Sequence, residues 1–219
     1  MKLTATTFVS LDGVLQGPGG PTEDPTGGFD LGGWLIPYAD QGFGRIVVEW
    51  FADADAFLLG RKSYQLLSSH WPNVTDPHDP IAAKLNTLPK YVPSSTLTTL
   101  GWANSHLLTG DLVEEVTKLK AQPGQALQVH GSGRLLGTLL ATGLVDELRL
   151  LTFPVVLGKG QRLFEAGTAP AAWQLTDVQS TAAGVIAHTY THAGKPALGN
   201  IVIGADGQEE LVLPESTNQ

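Results

Sequence analysis

Strand-like and helix-like segments alternate along most of this chain, and the alternation restricts the folds that it can adopt. Short apolar runs at 56–59 and 127–130 each end at a glycine and lead into a segment of helical periodicity. Between 37 and 54, apolar residues recur three and four positions apart and so share one helical face: Phe43, Ile46, Val47, Trp50, Phe51 and Ala54. Strands that alternate with helices form a parallel sheet with helices on both faces.

The last third of the chain breaks this alternation. Strand-like patterns at 147–153, 173–181 and 185–191 follow one another with no helical pattern between them. Such a run predicts antiparallel strands added at one edge of the sheet. The predicted fold class is therefore α/β, with a mostly parallel central sheet, helices on both faces and antiparallel C-terminal strands.

The composition predicts one core followed by a short extension. A chain of 219 residues with 42% hydrophobic and 16% charged residues holds enough apolar material for a full domain. We assign residues 1–192 to this domain and residues 193–219 to the extension. Apolar runs at 201–203 and 211–213 flank Asp206 and Gly207, which predicts a hairpin, and we expect the last six residues to be frayed.

Composition also excludes several classes of function. A formal net charge of −8 opposes nucleic-acid phosphates, so we expect no nucleic-acid partner. No apolar run approaches the roughly 20 residues of a membrane span, and the N-terminus lacks a signal-peptide pattern, so we expect no membrane and a cytoplasmic location. Without cysteine there is no disulfide, thiolate nucleophile or Cys-ligated zinc, and the histidines lack metal-ligand spacing, so we expect no metal.

The first segment that carries chemistry is the junction at Gly60, where a strand ends and a helix begins. Free N–H groups at a helix N-terminus, together with the helix dipole, favour an anion. Arg61 and Lys62 add two cations at this point of an acidic chain, and Ser63 adds a hydroxyl. We interpret the junction as a phosphate-binding turn. The alternative is an ordinary turn with solvated basic residues.

A second junction of the same kind follows the strand that ends at His130. Its residues are Gly131, Ser132, Gly133, Arg134 and Leu135. Ligands of open α/β sheets lie beyond the carboxyl ends of the strands, so two such junctions point to one shared site. Taken alone, the glycine pattern is equally consistent with a simple turn, and we expect His130 to be structural.

Three further features are candidate contact sites. Ser94 and Ser95 follow a strand and have hydroxyls that suit a phosphate, although most such clusters are plain loops. Lys159 and Arg162 flank glycines near a strand end. They are candidate ligands for an anionic substrate, and the alternative is a basic surface turn. Trp34 suits a flat substrate, and packing in the core or at its rim is an equal alternative.

Residues 16–33 form a long segment without periodicity that contains seven glycines and three prolines. Loops of this length inside a compact domain are lids or binding loops, or else they are disordered. The sequence therefore marks this segment as a candidate lid.

These segments, in this order and spacing, resemble the dihydrofolate-reductase-like superfamily. The resemblance is strongest to the reductase domain of the riboflavin-pathway deaminase-reductase and to its stand-alone bacterial relatives. It covers residues 2–191 and rests on Ser10-Leu11-Asp12-Gly13-Val14, the blocks 60–64 and 131–135, Leu144-Val145-Asp146-Glu147, and the block 154–164.

The resemblance implies a dihydrofolate-reductase-like fold and an NADPH site. Arg61, Lys62 and Ser63 would lie near the adenosine phosphates, and Ser94 and Ser95 would face the 2′-phosphate. The block 131–135 would wrap the pyrophosphate and the nicotinamide side, and the loop 16–33 would be the lid over the nicotinamide.

The sequence departs from the family pattern at two places. The loop after the third strand often reads Ser-Arg in the family and here is Ser94-Ser95, which makes NADH an alternative to NADPH. True dihydrofolate reductases carry a carboxylate on the helix before the first junction, and counting back sixteen residues from Gly60 reaches Gly44. The nearest acid before it is Asp40, so dihydrofolate is not the expected substrate.

The expected activity is hydride transfer from NADPH to a C=N or C=O carbon of a small, heterocyclic substrate. The resemblance also implies a homodimer, since members of the family pair through their late strands. Candidate proton donors are Asp40, Asp12 and water, although Asp12 also suits a turn cap. One alternative is the riboflavin-pathway reduction of a ribosylamino-pyrimidine phosphate, with Lys159 and Arg162 as phosphate ligands. Another is a non-catalytic nucleotide-binding module. Zinc deamination is excluded because the chain has no cysteine.

Overall fold

The computed structural model of this protein describes residues 1–213. Its strands are β1 (Lys2–Ser10), β2 (Ala54–Leu58), β3 (Lys90–Pro93), β4 (Ser105–Leu108), β5 (Ala126–His130), β6 (Glu147–Phe153), β7 (Trp173–Ser180), β8 (Ile186–His192), β9 (Asn200–Ile203) and β10 (Glu209–Val212). Its α-helices are α1 (Gln41–Phe51), α2 (Arg61–His70), α3 (Pro80–Thr87), α4 (Leu112–Lys120) and α5 (Gly133–Ala141). The predicted frayed tail falls on residues 214–219, which lie outside the described residues.

Eight of these strands form one sheet in the order β4-β3-β2-β5-β1-β6-β8-β7. From β4 to β6 every neighbouring pair is parallel. β8 then pairs antiparallel with β6, and β7 pairs antiparallel with β8 at the edge of the sheet. The predicted α/β class, with antiparallel strands added at the C-terminal side, is confirmed.

The two faces of the sheet are covered by different helices because side chains alternate along each strand. In β2, Ala56 and Leu58 belong to a core shared with α4 and α5. Phe57 belongs to a second core on the opposite face, which contains the buried Leu85 of α3. The aromatic core around Phe153 includes Ile46 and Trp50 of α1. Helices therefore lie on both faces, as the sequence predicts.

Helix α1 begins later than its apolar periodicity suggests. The pattern starts near residue 37, but residues Ile36–Tyr38 form a short 3₁₀ turn and the α-helix starts at Gln41. Asp40 ends the extended segment and accepts a hydrogen bond from the Phe43 N–H, which makes it the N-cap. Asp111 likewise accepts from the Glu114 N–H and is the N-cap of α4.

The glycine-rich loop 16–33 is held by its own hydrogen bonds. The Gln16 amide donates to the carbonyl oxygens of Asp24 and Thr26, and the Gly33 N–H donates to the Gly17 carbonyl. Phe29 is buried against the rest of the molecule. The loop is therefore folded back on itself as a compact flap and is not an extended connection.

The C-terminal extension contains the predicted hairpin, because β9 and β10 pair antiparallel across the turn at Gly207. The division of the chain at residue 192 stays a prediction. Among residues 1–213, none of the helices combines the length and the apolar character that crossing a bilayer requires.

Candidate functional site

The two strand–glycine–helix junctions lie side by side. The hydroxyls of Ser63 and Ser132 are 2.6 Å apart and share a hydrogen bond, although 69 residues separate them in the chain. Gly60 faces the same serine so closely that a Cβ built there would lie 2.7 Å from the Ser132 Cβ. The φ of Gly60 is an ordinary −62°, so its backbone conformation does not require glycine. The close approach to Ser132 does, because any side chain would collide with it.

The helices α2 and α5 present their N-termini to one region. The first intrahelical backbone bonds run from Tyr64 to the Gly60 carbonyl and from Leu136 to the Ser132 carbonyl. The backbone N–H groups of residues 61–63 and 133–135, which precede these two donors, have no acceptor among the described residues. Two helix dipoles and several free donors therefore converge, which favours a phosphate-bearing ligand.

A cavity of about 840 Å³ opens between these junctions. This volume lies within the roughly 300–1,000 Å³ that is usual for small-molecule and cofactor sites. Every residue that the sequence singled out for cofactor binding lines the cavity: Gly60, Arg61, Lys62, Ser63, Ser94, Ser95, Gly131, Ser132, Gly133, Arg134 and Leu135. The structure thus brings the whole predicted set together around one space.

Three cations stand at the rim of this cavity. The Arg61 guanidinium donates to the Thr96 hydroxyl at 3.0 Å, which directs it toward the loop after β3. The Lys62 ammonium lies 3.2 Å from the Asp24 carboxylate. The exposed Arg134 has no side-chain partner among the described residues. The lining also contains Glu23 and Asp24, so the three cations leave this opening with a small excess of positive charge in an otherwise acidic chain.

The loop after β3 is shaped by its own hydroxyls. The Ser94 Oγ accepts hydrogen bonds from the N–H groups of Thr96 and Leu97, which fixes a tight turn. The exposed Ser95 and the Thr96 hydroxyl remain at the cavity wall beside Arg61. Arg61 therefore places a cation next to the position where the family often has its own arginine.

The flap 16–33 closes one side of the cavity. Gln16, Gly17, Glu23, Asp24 and Thr26 contribute to the lining. Burial raises the pKa of Glu23, even though backbone N–H groups of the flap donate to its carboxylate. The flap is joined to α2 by Lys62, whose ammonium contacts both Asp24 and Thr26.

His130 lies at the end of β5, in the wall of the cavity. Its ring stacks on Phe51 with the ring centroids 4.5 Å apart, and its Nε2 is 2.8 Å from the Gln128 side-chain oxygen. Burial and the positive charge of Arg149 lower the pKa of His130 to about 3. The sequence indicates a structural histidine, and the structure adds that this histidine is neutral and borders the candidate site.

The two carboxylates considered as proton donors have other partners. Asp40 accepts from the N–H groups of Phe43 and Ala183, at 2.8 and 2.9 Å, and these bonds lower its pKa. Asp12 accepts from the N–H groups of Leu157 and Gly158. Burial raises its pKa, but these bonds and one from Ser10 outweigh burial and lower it to about 2.

Both carboxylates are therefore ionised at neutral pH and lie outside the residues that line the cavity. Asp40 joins α1 to the β7–β8 turn, and Asp12 holds the turn that follows β6. Asp12 therefore holds a turn, the alternative that the sequence also offers for it, and Asp40 caps a helix; a proton-donor role for either residue stays a prediction.

The predicted substrate contacts also lie away from the cavity lining. Trp34 is buried in the aromatic core, where its Nε1 donates to the Gln16 carbonyl at 2.8 Å. Lys159 pairs with Asp30, and Arg162 lies 3.4 Å from the Asp12 carboxylate. Of the segment around these cations, only Gln161 reaches the lining. The structure does not bring Trp34, Lys159 and Arg162 to the site.

The family model of the RibD C-terminal domain matches residues 1–187. The chain belongs to this family. The predicted resemblance to the riboflavin-pathway reductase domain is confirmed. A relative of this chain, the uncharacterized protein YyaP of Bacillus subtilis (strain 168), is 31% identical over 185 residues, which are 83% of this chain and 90% of YyaP.

Solved structures share the fold of this chain. A putative riboflavin biosynthesis protein from Shewanella sp. PV-4 has a TM-score of 0.64 and 22% identity, and the match covers 88% of this chain and 99% of that one. A pyrimidine reductase-like protein from Corynebacterium diphtheriae has a TM-score of 0.61 and 13% identity, over 88% and 92% of the two chains.

A third similar structure belongs to a larger protein. It is a diaminohydroxyphosphoribosylaminopyrimidine deaminase/5-amino-6-(5-phosphoribosylamino)uracil reductase from Thermotoga maritima, with a TM-score of 0.59 and 12% identity. The match covers 88% of this chain and 56% of that protein. At these identities the three structures show the fold of this chain. A shared fold does not imply a shared reaction.

Proposed function

We propose that this protein is a reductase that binds NADPH in the cavity between the two junctions. The observation that carries the proposal is the contact of Ser63 with Ser132, which sets two helix N-termini and their free N–H groups around one space. In such a site NADPH supplies a hydride for a C=N or C=O carbon of a small heterocyclic substrate. Membership of the RibD C-terminal domain family supports the reductase class.

The residues present suit a dinucleotide phosphate in charge and in space. Residues 61–63 and 133–135 would hold the diphosphate with backbone N–H groups, assisted by the cations of Lys62 and Arg134. Leu15, Leu66 and Leu135 give parts of the lining an apolar character that suits planar rings.

Arg61 supports the choice of NADPH over NADH. Its guanidinium reaches the Thr96 hydroxyl in the loop that also carries Ser94 and Ser95. A guanidinium and hydroxyls together form a donor set suited to a phosphate monoester. The cation that the loop itself lacks is therefore supplied from the first turn of α2.

The protein's own part in the reaction is to orient the reactants and to exclude water. The flap 16–33 covers the cavity, and β1 and β5 form its wall with Thr6, Thr7, Phe8 and His130. Asp12 and Asp40 are ionised and placed elsewhere, so we assign delivery of the proton to water that enters beside the flap.

A second candidate is reduction of a ribosylamino-pyrimidine phosphate, which the name of the Thermotoga maritima relative favours. Its substrate phosphate requires cations near the cavity in addition to Arg61, Lys62 and Arg134, which we assign to NADPH. Lys159 and Arg162, the residues considered for this role, pair with Asp30 and Asp12 instead. This chain therefore supports a substrate without a phosphate better than one that carries it.

Titration of the protein with NADPH and with NADH, followed by nicotinamide fluorescence, tests the proposal. We expect binding of both, with NADPH the tighter ligand. Arg61→Ala should weaken NADPH binding by about ten- to a hundredfold, the loss of one or two charge-assisted bonds, and leave NADH binding nearly unchanged. Arg45→Ala, which removes an exposed arginine of α1, is the matched control. No binding at millimolar NADPH would reject the proposal.

Turnover separates the enzyme from a non-catalytic binding module. Protein shown to bind NADPH is incubated with a panel of cyclic imines and heterocyclic carbonyl compounds, and NADPH oxidation is followed at its absorbance band. We expect oxidation with at least one neutral heterocycle. Binding without oxidation across the panel would favour the module, and turnover restricted to a ribosylamino-pyrimidine phosphate would favour the second candidate.

A further inference from the structure

A buried polar network fixes which nitrogen of His130 carries the proton. The Gln128 amide nitrogen lies 2.6 Å from the Trp50 carbonyl oxygen and 2.7 Å from an Asp53 carboxylate oxygen. Both of these partners only accept, so the Gln128 amide group must donate to them, and its oxygen must face His130. The His130 Nε2, 2.8 Å from that oxygen, is therefore the donor and bears the hydrogen.

Arg149 holds this network in one arrangement. Its guanidinium donates to Asp53 at 2.6 Å and to the Trp50 carbonyl at 2.9 Å, and it also pairs with Glu147. The Asp53 carboxylate cannot move away from Gln128 without losing Arg149, and the Gln128 amide cannot flip without facing two acceptors with its oxygen. The tautomer of His130 is thus determined by residues that stand behind it, away from the cavity.

The other ring nitrogen of His130 has no such partner. Among residues 1–213, Nδ1 makes no hydrogen bond to the protein. The fully buried side-chain polar atoms without a partner in this part of the chain are the hydroxyls of Thr4, Thr6 and Ser105. Nδ1 is not among these fully buried atoms. His130 itself is half-buried and lines the cavity. Nδ1 is therefore not fully buried, and because His130 lines the cavity, its lone pair is available to a ligand bound there.

We propose that His130 Nδ1 is a specificity-determining acceptor that binds an N–H group of a planar heterocycle in the cavity. The inference rests on the proposed function and names the chemistry of its reactant: an amide, imide or amino N–H, and not a carboxylate or phosphate. Two sources carry this group, namely the carboxamide of the reduced nicotinamide and the ring N–H of the substrate. A neutral imidazole that only accepts at Nδ1 disfavours ligands that present an acceptor there.

Nitrogen-15 spectroscopy of the histidine rings tests this directly. The His130 signals are identified by their loss in His130→Asn. In the free protein we expect a protonated Nε2 and an unprotonated Nδ1 at neutral pH. One arm then adds NADPH or its 3-acetylpyridine analogue, in which a methyl ketone replaces the amide. The second arm adds uracil or 1,3-dimethyluracil to NADPH-loaded protein, since only uracil has ring N–H groups.

The two arms distinguish the sources. A shift of the Nδ1 resonance with NADPH but not with the analogue assigns the contact to the cofactor. A shift with uracil but not with its dimethyl derivative assigns it to the substrate. His130→Phe should then weaken binding of the assigned partner about two- to tenfold, while His130→Asn, which keeps an acceptor, should restore part of it.

Two results would overturn the inference alone: a protonated Nδ1 in the free protein, or an Nδ1 resonance that neither arm moves although fluorescence shows NADPH bound. Absence of NADPH binding to the wild-type protein would instead contradict the proposed function, and this inference would fall with it.

Discussion

Ser132 adopts a left-handed backbone conformation, with φ 60° and ψ 72°, directly after Gly131 at φ 65°. A non-glycine residue in this region costs about 1 kcal/mol or more and persists only where its surroundings hold it. Here the hydrogen bond to Ser63 holds it, because the Ser132 hydroxyl turns to the neighbouring junction and does not cap its own helix. The strain thus sits where the two junctions meet.

His130 makes the stability of the fold sensitive to acid. Its pKa is lowered to about 3, whereas an unfolded histidine titrates at about 6.5. Between these values the unfolded chain binds a proton that the folded protein does not, so the free energy of unfolding falls as the pH falls. This one group accounts for a slope of up to about 1.4 kcal/mol per pH unit.

His130→Phe removes this titration and should flatten the dependence of stability on pH between 6.5 and 4. The measurement is urea unfolding at several pH values in this range. His78→Phe, at an exposed loop position, is the control and should keep the wild-type slope. A wild-type slope in the His130 variant would mean that its imidazole is protonated in the folded state.

At the scale of elements, the flap and helix α2 compete for one cation. Lys62 contacts Asp24 and Thr26 of the flap, yet it also lies at the helix N-terminus that we assign to the diphosphate. Hydrogen bonds from Thr26 and Lys62 lower the pKa of Asp24 in spite of its partial burial, so the carboxylate is ionised at neutral pH. In the absence of a ligand, Lys62 therefore pairs with the Asp24 carboxylate of the flap.

Asp24→Asn should tighten NADPH binding about two- to fivefold, since it removes an ion pair that is worth up to about 1 kcal/mol at an exposed position. Asp30→Asn is the matched control, because Asp30 lies in the same flap but pairs with Lys159 outside the cavity lining. Fluorescence titration of both variants gives the comparison. Weaker binding by Asp24→Asn would show that the pair helps the closed flap instead of competing with the ligand.

The elements and the residues that line the cavity can be predicted from the sequence, because both depend on local patterns. A glycine between a strand and a helix is visible in the sequence, and the carboxyl ends of parallel strands share one edge of a sheet. The partners of Asp12, Asp40 and Lys159 cannot be predicted in this way. These partners, Gly158, Ala183 and Asp30, lie far away in the chain and are joined to them only by the tertiary fold.

His130 illustrates the same limit at shorter range. Its position two residues after Gln128 places both side chains on one face of β5, which the sequence allows one to predict. The acceptors that orient Gln128 come from the end of α1 and from Asp53, and nothing in the local pattern indicates them. The chemical state of the ring follows from those remote groups.

At the scale of the whole molecule, we propose that two copies pair through the strand β7. This strand forms the edge of the sheet, and Leu175 and Val178 are half-exposed on it. An unpaired edge with apolar side chains favours association with another strand. Light scattering after size exclusion should then give twice the chain mass of 23.1 kDa.

Val178→Asp should convert the dimer to monomer, whereas Val48→Asp, the same change at an exposed position of α1, should leave it intact. A wild-type protein with the mass of one chain at micromolar concentration would exclude this pairing.

The central claim is that the two junctions, held in contact, form one cofactor site, and NADPH titration of Gly60→Ala tests it most directly. The new methyl group would lie 2.7 Å from the Ser132 Cβ, so the junctions must separate. Gly137→Ala adds the same methyl group to α5, where nothing lies within 4 Å of it. We predict that Gly60→Ala binds NADPH about tenfold or more weakly than wild type while Gly137→Ala binds it equally well. Wild-type affinity in a folded Gly60→Ala protein would contradict the account.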